Sequence, residues 1–294
     1  MEQFGPGLAA LLGFLEGLTE YLPISSTGHL ILMGHWLGFT GDVANSVDIC
    51  IQIGAILAVV VYEREKILGL LRNGFQEQQE FRKGLGDTMK TKHAQAWQAY
   101  LQQSAQKHLN MWFLVGLVAA FIPAAIVGLL AHNWIEQYLF SAKTVAISLI
   151  IGGIIILVVE TWPKRVTITQ LEHIGLPAAV GIGIAQCVAL IPGMSRSGST
   201  IVGGLLIGLD RRVATEFSFF LAIPTMFAAT SYKLIQSFHL FTANDAFALL
   251  IGMFVSFFVA WAVIASFLTY VKQHTLKVFG YYRITLGTLL FLVL

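Results

Sequence analysis

Long apolar runs, cut by short polar breaks, make up most of this chain. A transmembrane helix needs roughly 20 mainly apolar residues, and six stretches approach that length: about 45–62, 110–131, 144–160, 214–235, 246–270 and 279–294. The first and last are short or carry polar residues. Two further apolar regions are broken in the middle: residues 8–40 by Pro23-Ile24-Ser25-Ser26-Thr27-Gly28-His29, and 175–209 by Pro192-Gly193-Met194-Ser195-Arg196-Ser197-Gly198-Ser199-Thr200. Each half-segment is too short to span. Unwound backbone at membrane depth survives only where it is buried in protein or lines a wet cavity. The pattern therefore predicts an all-α integral membrane protein, with six transmembrane helices plus two re-entrant helix-loop-helix hairpins.

Composition agrees with this. Charged residues are 12% of the chain and hydrophobic ones 56%, with a mean hydropathy of +0.74, against about 25% charged in a soluble domain. A net charge of +2 gives no reason to expect nucleic acid as a partner. Cys50 and Cys187 lie in apolar runs and form no disulfide framework. Met1-Glu2-Gln3 lacks the basic region of a cleaved signal peptide, so it is kept as mature sequence.

Lys and Arg mark the cytoplasmic side of a membrane protein. Eight of the 18 fall between Glu63 and His108, which places that stretch in the cytoplasm. Counting spans puts Lys164-Arg165, Arg211-Arg212, Lys272 and Lys277 on the same side and both termini outside. Residues 73–108, rich in Gln and Lys, read as a solvated loop with at most a short surface helix.

The chain also repeats. A shift of 170 residues pairs Gly13 with Gly183, Ser25 with Ser195, Gly28 with Gly198, Gly34 with Gly204 and Gly38 with Gly208. The expected organisation is one membrane domain over 1–294. Repeat one covers 8–160, with the cytoplasmic loop 63–109 inside it, and repeat two covers 175–294. Each unit is a hairpin and three spans, so the second copy must be inverted, and the two broken tips should meet near the midplane.

The polar breaks carry the chemistry. Glu16 and Glu20 are four residues apart, so a helix puts both carboxylates on one face. A charge at the membrane centre costs roughly 2.5–3.5 kcal/mol on insertion scales, which calls for a cation, a shared proton or a metal. Ser26 and His29 are close enough in sequence for a hydroxyl–imidazole contact, the minimum of an activated nucleophile. The bland alternatives are that Ser26 or Thr27 caps a helix starting near Leu30 and that His29 only packs. In the second break Arg196 stands among Ser195, Ser197, Ser199, Thr200, Gly193 and Gly198. A guanidinium fork matches phosphate oxygens, and glycines let backbone N–H groups approach an anion. Alternatively, Arg196 neutralises Glu16 or Glu20. Asp48, Gln52 and Gln186 are candidates to stand behind this site, Glu216 and Arg211-Arg212 read as interfacial anchors, and Trp134, Trp162 and Tyr281-Tyr282 as an aromatic belt.

Glu16-Gly-Leu-Thr-Glu20, the following Leu-Pro-Ile-Ser-Ser-Thr-Gly-His29, and Pro192-Gly-Met-Ser-Arg-Ser-Gly-Ser-Thr200 resemble the undecaprenyl-diphosphate phosphatases of the bacitracin-resistance type. The likeness runs through nearly the whole chain, including Glu216-Phe-Ser-Phe and Tyr282-Arg283. The 73–108 stretch stands out as longer than expected for the family. The resemblance implies hydrolysis of a C55 isoprenoid diphosphate to the monophosphate, which recycles the carrier lipid of cell-wall synthesis. It implies catalytic roles for Glu16, Glu20, Ser26, His29 and Arg196. Substrate binding falls to Ser25, Thr27, Ser195, Ser197, Thr200, Gly193 and Gly198. It further implies a divalent cation, Mg²⁺ or Ca²⁺, on Glu16 and Glu20, a homodimer in the bacterial inner membrane, and a site opening to the periplasmic side. A transporter or flippase for an anionic lipid is the alternative from another class, since broken helices in inverted repeats also serve transport.

Overall fold

The computed structural model describes residues 5–89, 94–162, 165–237 and 243–293. The N-terminal Met1-Glu2-Gln3, Lys164, and 238–242 of the expected outer loop lie outside the described residues. The first broken region forms α1 (Pro6–Thr19) and α2 (Ser26–Trp36). Next come α3 (Asp42–Tyr62), α4 (Arg64–Met89), α5 (Ala94–Lys107), α6 (Leu109–Leu139) and α7 (Ala142–Thr161). The second broken region forms α8 (Leu176–Gln186), a 3-10 turn over Cys187–Leu190, and α9 (Arg196–Ile207). The chain ends with α10 (Arg211–Ser237), α11 (Ala243–Tyr270) and α12 (Lys277–Val293). Among the described residues there is no strand; Ile168 and Leu209 form a single isolated bridge.

Four helices, α6, α7, α10 and α11, are long and apolar enough to cross a membrane; α3 and α4 pass that test only together, across a 68° bend. Of the two expected spans that fall short, α12 has 17 residues. The other, α3, carries Asp48 and Gln52 in its middle. Both broken regions are helix–break–helix, as their pattern predicts. Among the described residues, the stretch expected to be a solvated loop is instead helical, the end of α4 and all of α5. Heptad-like apolar positions in α4 explain this: Leu70 is buried in the main core, and Gly74 lies against Leu114 of α6.

Small residues set the closest helix contacts, as expected where lipid removes the hydrophobic drive between helices. A Cβ on Gly13 of α1 would lie 2.2 Å from the Gly252 carbonyl oxygen of α11. A Cβ on Gly183 of α8 would lie 2.2 Å from the Ala120 carbonyl oxygen of α6. Both short helices are thus pressed against a long one by residues that the 170-residue shift pairs. α7 packs along α12, and α3 along α10 and α11.

Ion pairs gather the polar ends. Glu160 at the end of α7 pairs with Arg211 at 2.8 Å and accepts from the Leu276 N–H ahead of α12. Glu216 of α10 takes Lys66 of α4 at 2.6 Å and Arg212 at 2.8 Å. The residues read as loose interfacial anchors are therefore cross-links that bring the α3–α4, α7–α8, α9–α10 and α11–α12 junctions to one end of the bundle.

Overpacking a tight contact costs about 1–3 kcal/mol. Gly13→Ala and Gly183→Ala should each lower the unfolding midpoint in detergent by that equivalent. Gly7→Ala, where a Cβ meets nothing within 4 Å, should leave it unchanged.

Candidate active site

α1 ends because Leu22-Pro23 cannot continue it, which leaves Glu20 as its last capping residue with its N–H on the Glu16 carbonyl. The chain then turns through Ser25, whose φ is +72°, a left-handed conformation that costs a non-glycine residue about 1–3 kcal/mol. Ser25 caps α2, its hydroxyl accepting from the Gly28 N–H at 3.3 Å. The second break is built the same way: Ser195 has φ +71° and caps α9 through the Gly198 N–H at 3.1 Å. The expected cap at Ser26 or Thr27 is corrected to Ser25, and α2 starts four residues earlier than expected, at Ser26. The strained turn frees the Ser26 side chain from capping.

Ser26 is buried and donates its hydroxyl hydrogen to Oε2 of Glu20. The other carboxylate oxygen, Oε1, accepts from Arg196 Nη2 at 2.9 Å. Arg196 also donates through Nη1 to the Ser218 carbonyl at 3.0 Å, and it lies over the Tyr21 ring, 5.7 Å from the centroid. Its Nε is buried with no acceptor. Thr200 Oγ1 sits 2.7 Å from Ser218 Oγ and 2.9 Å from the Arg196 carbonyl oxygen. Ser197 donates to the Leu22 carbonyl at 2.8 Å, tying the second break to the first.

Not every expected partner joins this group. His29 does not contact Ser26; its Nδ1 lies 2.7 Å from the Ser25 carbonyl oxygen and its Nε2 2.7 Å from the Tyr282 hydroxyl, with the two rings stacked. Thr27 is exposed. Glu16 is buried, with Glu20, Asp48 and Arg196 as its charged neighbours and the Gln52 amide beside it. One oxygen of Glu16 and one of Asp48 are buried without a hydrogen-bond partner.

These two orphaned oxygens bear on the expected cation. Among the described residues no three of His, Cys, Asp or Glu are grouped to hold a metal, and both Glu20 oxygens are engaged. A free buried carboxylate oxygen is nonetheless the donor a hard cation takes. Mg²⁺ is commonly held by one or two carboxylates plus substrate phosphates, so the residues fit such an ion.

Arg283 of α12 has no place in the motif-based reading beyond its part in the resemblance. It is fully buried, and every N–H it carries meets a backbone carbonyl: Pro23 at 3.2 Å, Met194 at 3.0 Å, Gly193 at 2.8 Å, Ser148 at 3.2 Å and Leu149 at 3.4 Å. One guanidinium thus holds both breaks against α7. A lone arginine in the last apolar run was the available signal. Ser218 was marked only as part of Glu216-Phe-Ser-Phe, and Tyr21 by nothing, because apolar helices carry many such residues. Tyr282, assigned to an aromatic belt, is also His29's partner.

Leaving a buried acceptor unpaired costs about 1–3 kcal/mol. Arg283→Leu orphans the three break carbonyls of Pro23, Gly193 and Met194, since those of Ser148 and Leu149 keep their α7 hydrogen bonds, and should lose at least about 3 kcal/mol in thermal unfolding. Arg283→Lys, with three donors, should fall between it and the parent.

Residues 9–289 match the family model described as bacitracin resistance protein BacA. A protein of Thermoanaerobacter sp. (strain X514) named undecaprenyl-diphosphatase is 46% identical over 97% of this chain and 95% of its own. One from Maridesulfovibrio salexigens with the same name is 44% identical over 96% of each chain. Undecaprenyl-diphosphatase 3 of Acinetobacter baylyi is 42% identical over 97% of each. With its paired breaks, its apolar helices and this match over nearly its whole length, the chain belongs to the bacitracin resistance protein BacA family and is a multi-pass membrane protein.

Proposed function

We propose that this chain hydrolyses undecaprenyl diphosphate to undecaprenyl phosphate and inorganic phosphate. The observation that carries the reading is a buried serine hydroxyl bonded to a carboxylate whose other oxygen holds an arginine: Ser26, Glu20 and Arg196. The names of the relatives support the substrate.

Arg196 leaves Glu20 for the terminal phosphate, and the Nε it keeps unpaired becomes a further donor to the same group. Phosphoryl transfer needs charge stabilisation on the equatorial oxygens above all, and the loop amides ahead of α2 and α9 add to it. Glu20 takes the Ser26 proton as Ser26 Oγ bonds to the terminal phosphorus. The bond from that phosphorus to the bridging oxygen breaks, and undecaprenyl phosphate leaves with the electron pair. Glu20 passes that proton to the departing phosphate and is free again to take one from water, whose oxygen displaces Ser26 from phosphorus. Glu20 returns this second proton to Ser26 Oγ, and inorganic phosphate is released. His29, bonded to Tyr282, holds the turn at Ser25 rather than taking the proton. Glu16, through its unpaired oxygen, and Glu20, through the oxygen that Arg196 vacates, would hold a Mg²⁺ or Ca²⁺ ion, which when bound neutralises phosphate charge.

The architecture we propose adds α3 and α12 to the four long apolar helices for six spans. The pairs α1–α2 and α8–α9 form re-entrant hairpins of an inverted repeat. The matched φ of Ser25 and Ser195 and the matched contacts of Gly13 and Gly183 support the repeat. The resemblance to the family supports a site that opens to the periplasmic side of the inner membrane. The resemblance to the family supports a homodimer, carrier-lipid recycling and bacitracin resistance as the cellular role. Pure lipid transport would have no use for a serine bonded to a base.

General-base and charge-stabilising groups each contribute about 10²–10⁴-fold. Glu20→Gln, Ser26→Ala and Arg196→Lys should each cut phosphate release from C55 diphosphate by at least about 10²-fold while folding normally. Acid quenching during turnover should trap phosphate on Ser26. Wild-type turnover in Ser26→Ala would instead make water the nucleophile.

A further inference from the structure

α4 leaves α3 at the 68° bend, so a spanning α3 directs α4 toward the plane of the membrane. One face of α4 is docked on protein. Leu70 is buried, Gly74 meets Leu114 of α6, and Glu77 accepts from Asn110 Nδ2 at 2.6 Å and the Met111 N–H at 2.7 Å. Phe81 stacks on Tyr100 of α5, and Glu80 pairs with Lys107 at 3.0 Å. The opposite face carries Leu68, Leu71 and Phe75 at 65%, 51% and 61% exposure. Spacing of three and four residues makes them one stripe. Leu57 and Val61 of α3, just before the bend, are exposed as well.

On the same face stand Arg64, Arg72 and Arg82, all exposed and without a carboxylate partner among the described residues. Glu65 is exposed at the edge of that face. Apolar residues flanked by unpaired arginines on the solvent side of an otherwise docked helix match an interfacial helix in chemistry. Such a helix buries its apolar side about 5–10 Å into the headgroup boundary.

We infer that α4 lies on the leaflet at the Lys/Arg-rich side of the membrane, with Leu68, Leu71 and Phe75 in the acyl boundary and Arg64, Arg72 and Arg82 on anionic lipid headgroups. The inference rests on the proposed topology, not on the phosphatase chemistry. It gives α4 a lipid surface as its partner, and it anchors the base of α6 and, through Lys66–Glu216, of α10.

The test uses full-length protein in a Cys50→Ala/Cys187→Ala background. Nitroxide labels go on single cysteines at 68, 71 and 75, with 73 and 76 as controls, in phosphatidylcholine vesicles with or without phosphatidylglycerol. Labels at 68, 71 and 75 should be open to dioxygen and shielded from a nickel chelate, and the controls the reverse. Phosphatidylglycerol enrichment around the protein should fall by roughly fivefold per arginine removed in Arg64→Gln/Arg72→Gln/Arg82→Gln, since a basic group near an anionic surface contributes about that factor. Equal nickel access at 75 and 73, label–label dipolar broadening from a second copy, or unchanged lipid enrichment would each overturn the proposal. Phosphate release measured in parallel reports on the catalytic reading separately, because label depth does not depend on turnover.

Discussion

Backbone groups at the two helix breaks must find partners without water, and the fold of this chain is organised around that need. A break within an apolar segment orphans carbonyls and amides that a continuous helix would pair. Here the amides are met by serines that accept the strain of a left-handed φ, Ser25 and Ser195. The carbonyls are met by Arg283, which reaches Pro23 of one break and Gly193 and Met194 of the other. Gly193 has φ +93°, and a Cβ there would lie 2.8 Å from the Val145 carbonyl oxygen of α7. Only glycine lets that loop come close enough to be clamped.

This clamp bears directly on the chemistry. Ser26 and Arg196 are the first residues of α2 and α9, so fixing the two breaks against each other fixes the distance between the proposed nucleophile and the proposed phosphate ligand. The Glu20–Arg196 pair then closes the gap, with side-chain exposures of 6% and 12%. Removing two charges from water is expensive, and a buried pair is weak evidence for stability. Its geometry makes more sense as a resting state. Arg196 keeps one donor free at Nε, and an arriving anion can compete for the guanidinium while Glu20 is left to take a proton.

The four apolar helices, the two broken regions and the paired carboxylates were legible in the sequence because each is a local pattern: run length, interruption and i,i+4 spacing. Arg196 was legible because a charge within an apolar segment has no bland surface to sit on. The α4–α5 pair was not, since a Gln- and Lys-rich stretch reads as solvated until Gly74 and Glu77 find α6. Amphipathicity there depends on what covers one face, and the chain alone does not say.

Which residues share the candidate site is likewise a tertiary fact. His29 is three residues from Ser26, yet the turn at Ser25 sends it to Tyr282, 253 positions away. Glu20 is six residues from Ser26 and reaches it, because α1 stops where it does. Arg283 meets two loops separated by about 170 residues, a contact no spacing rule contains. Sequence determined that charges had to be buried in this membrane protein, since the apolar runs leave nowhere else for them. The folded chain decided which charge faces which, because buried hydrogen bonds are made by distance in space, not along the chain.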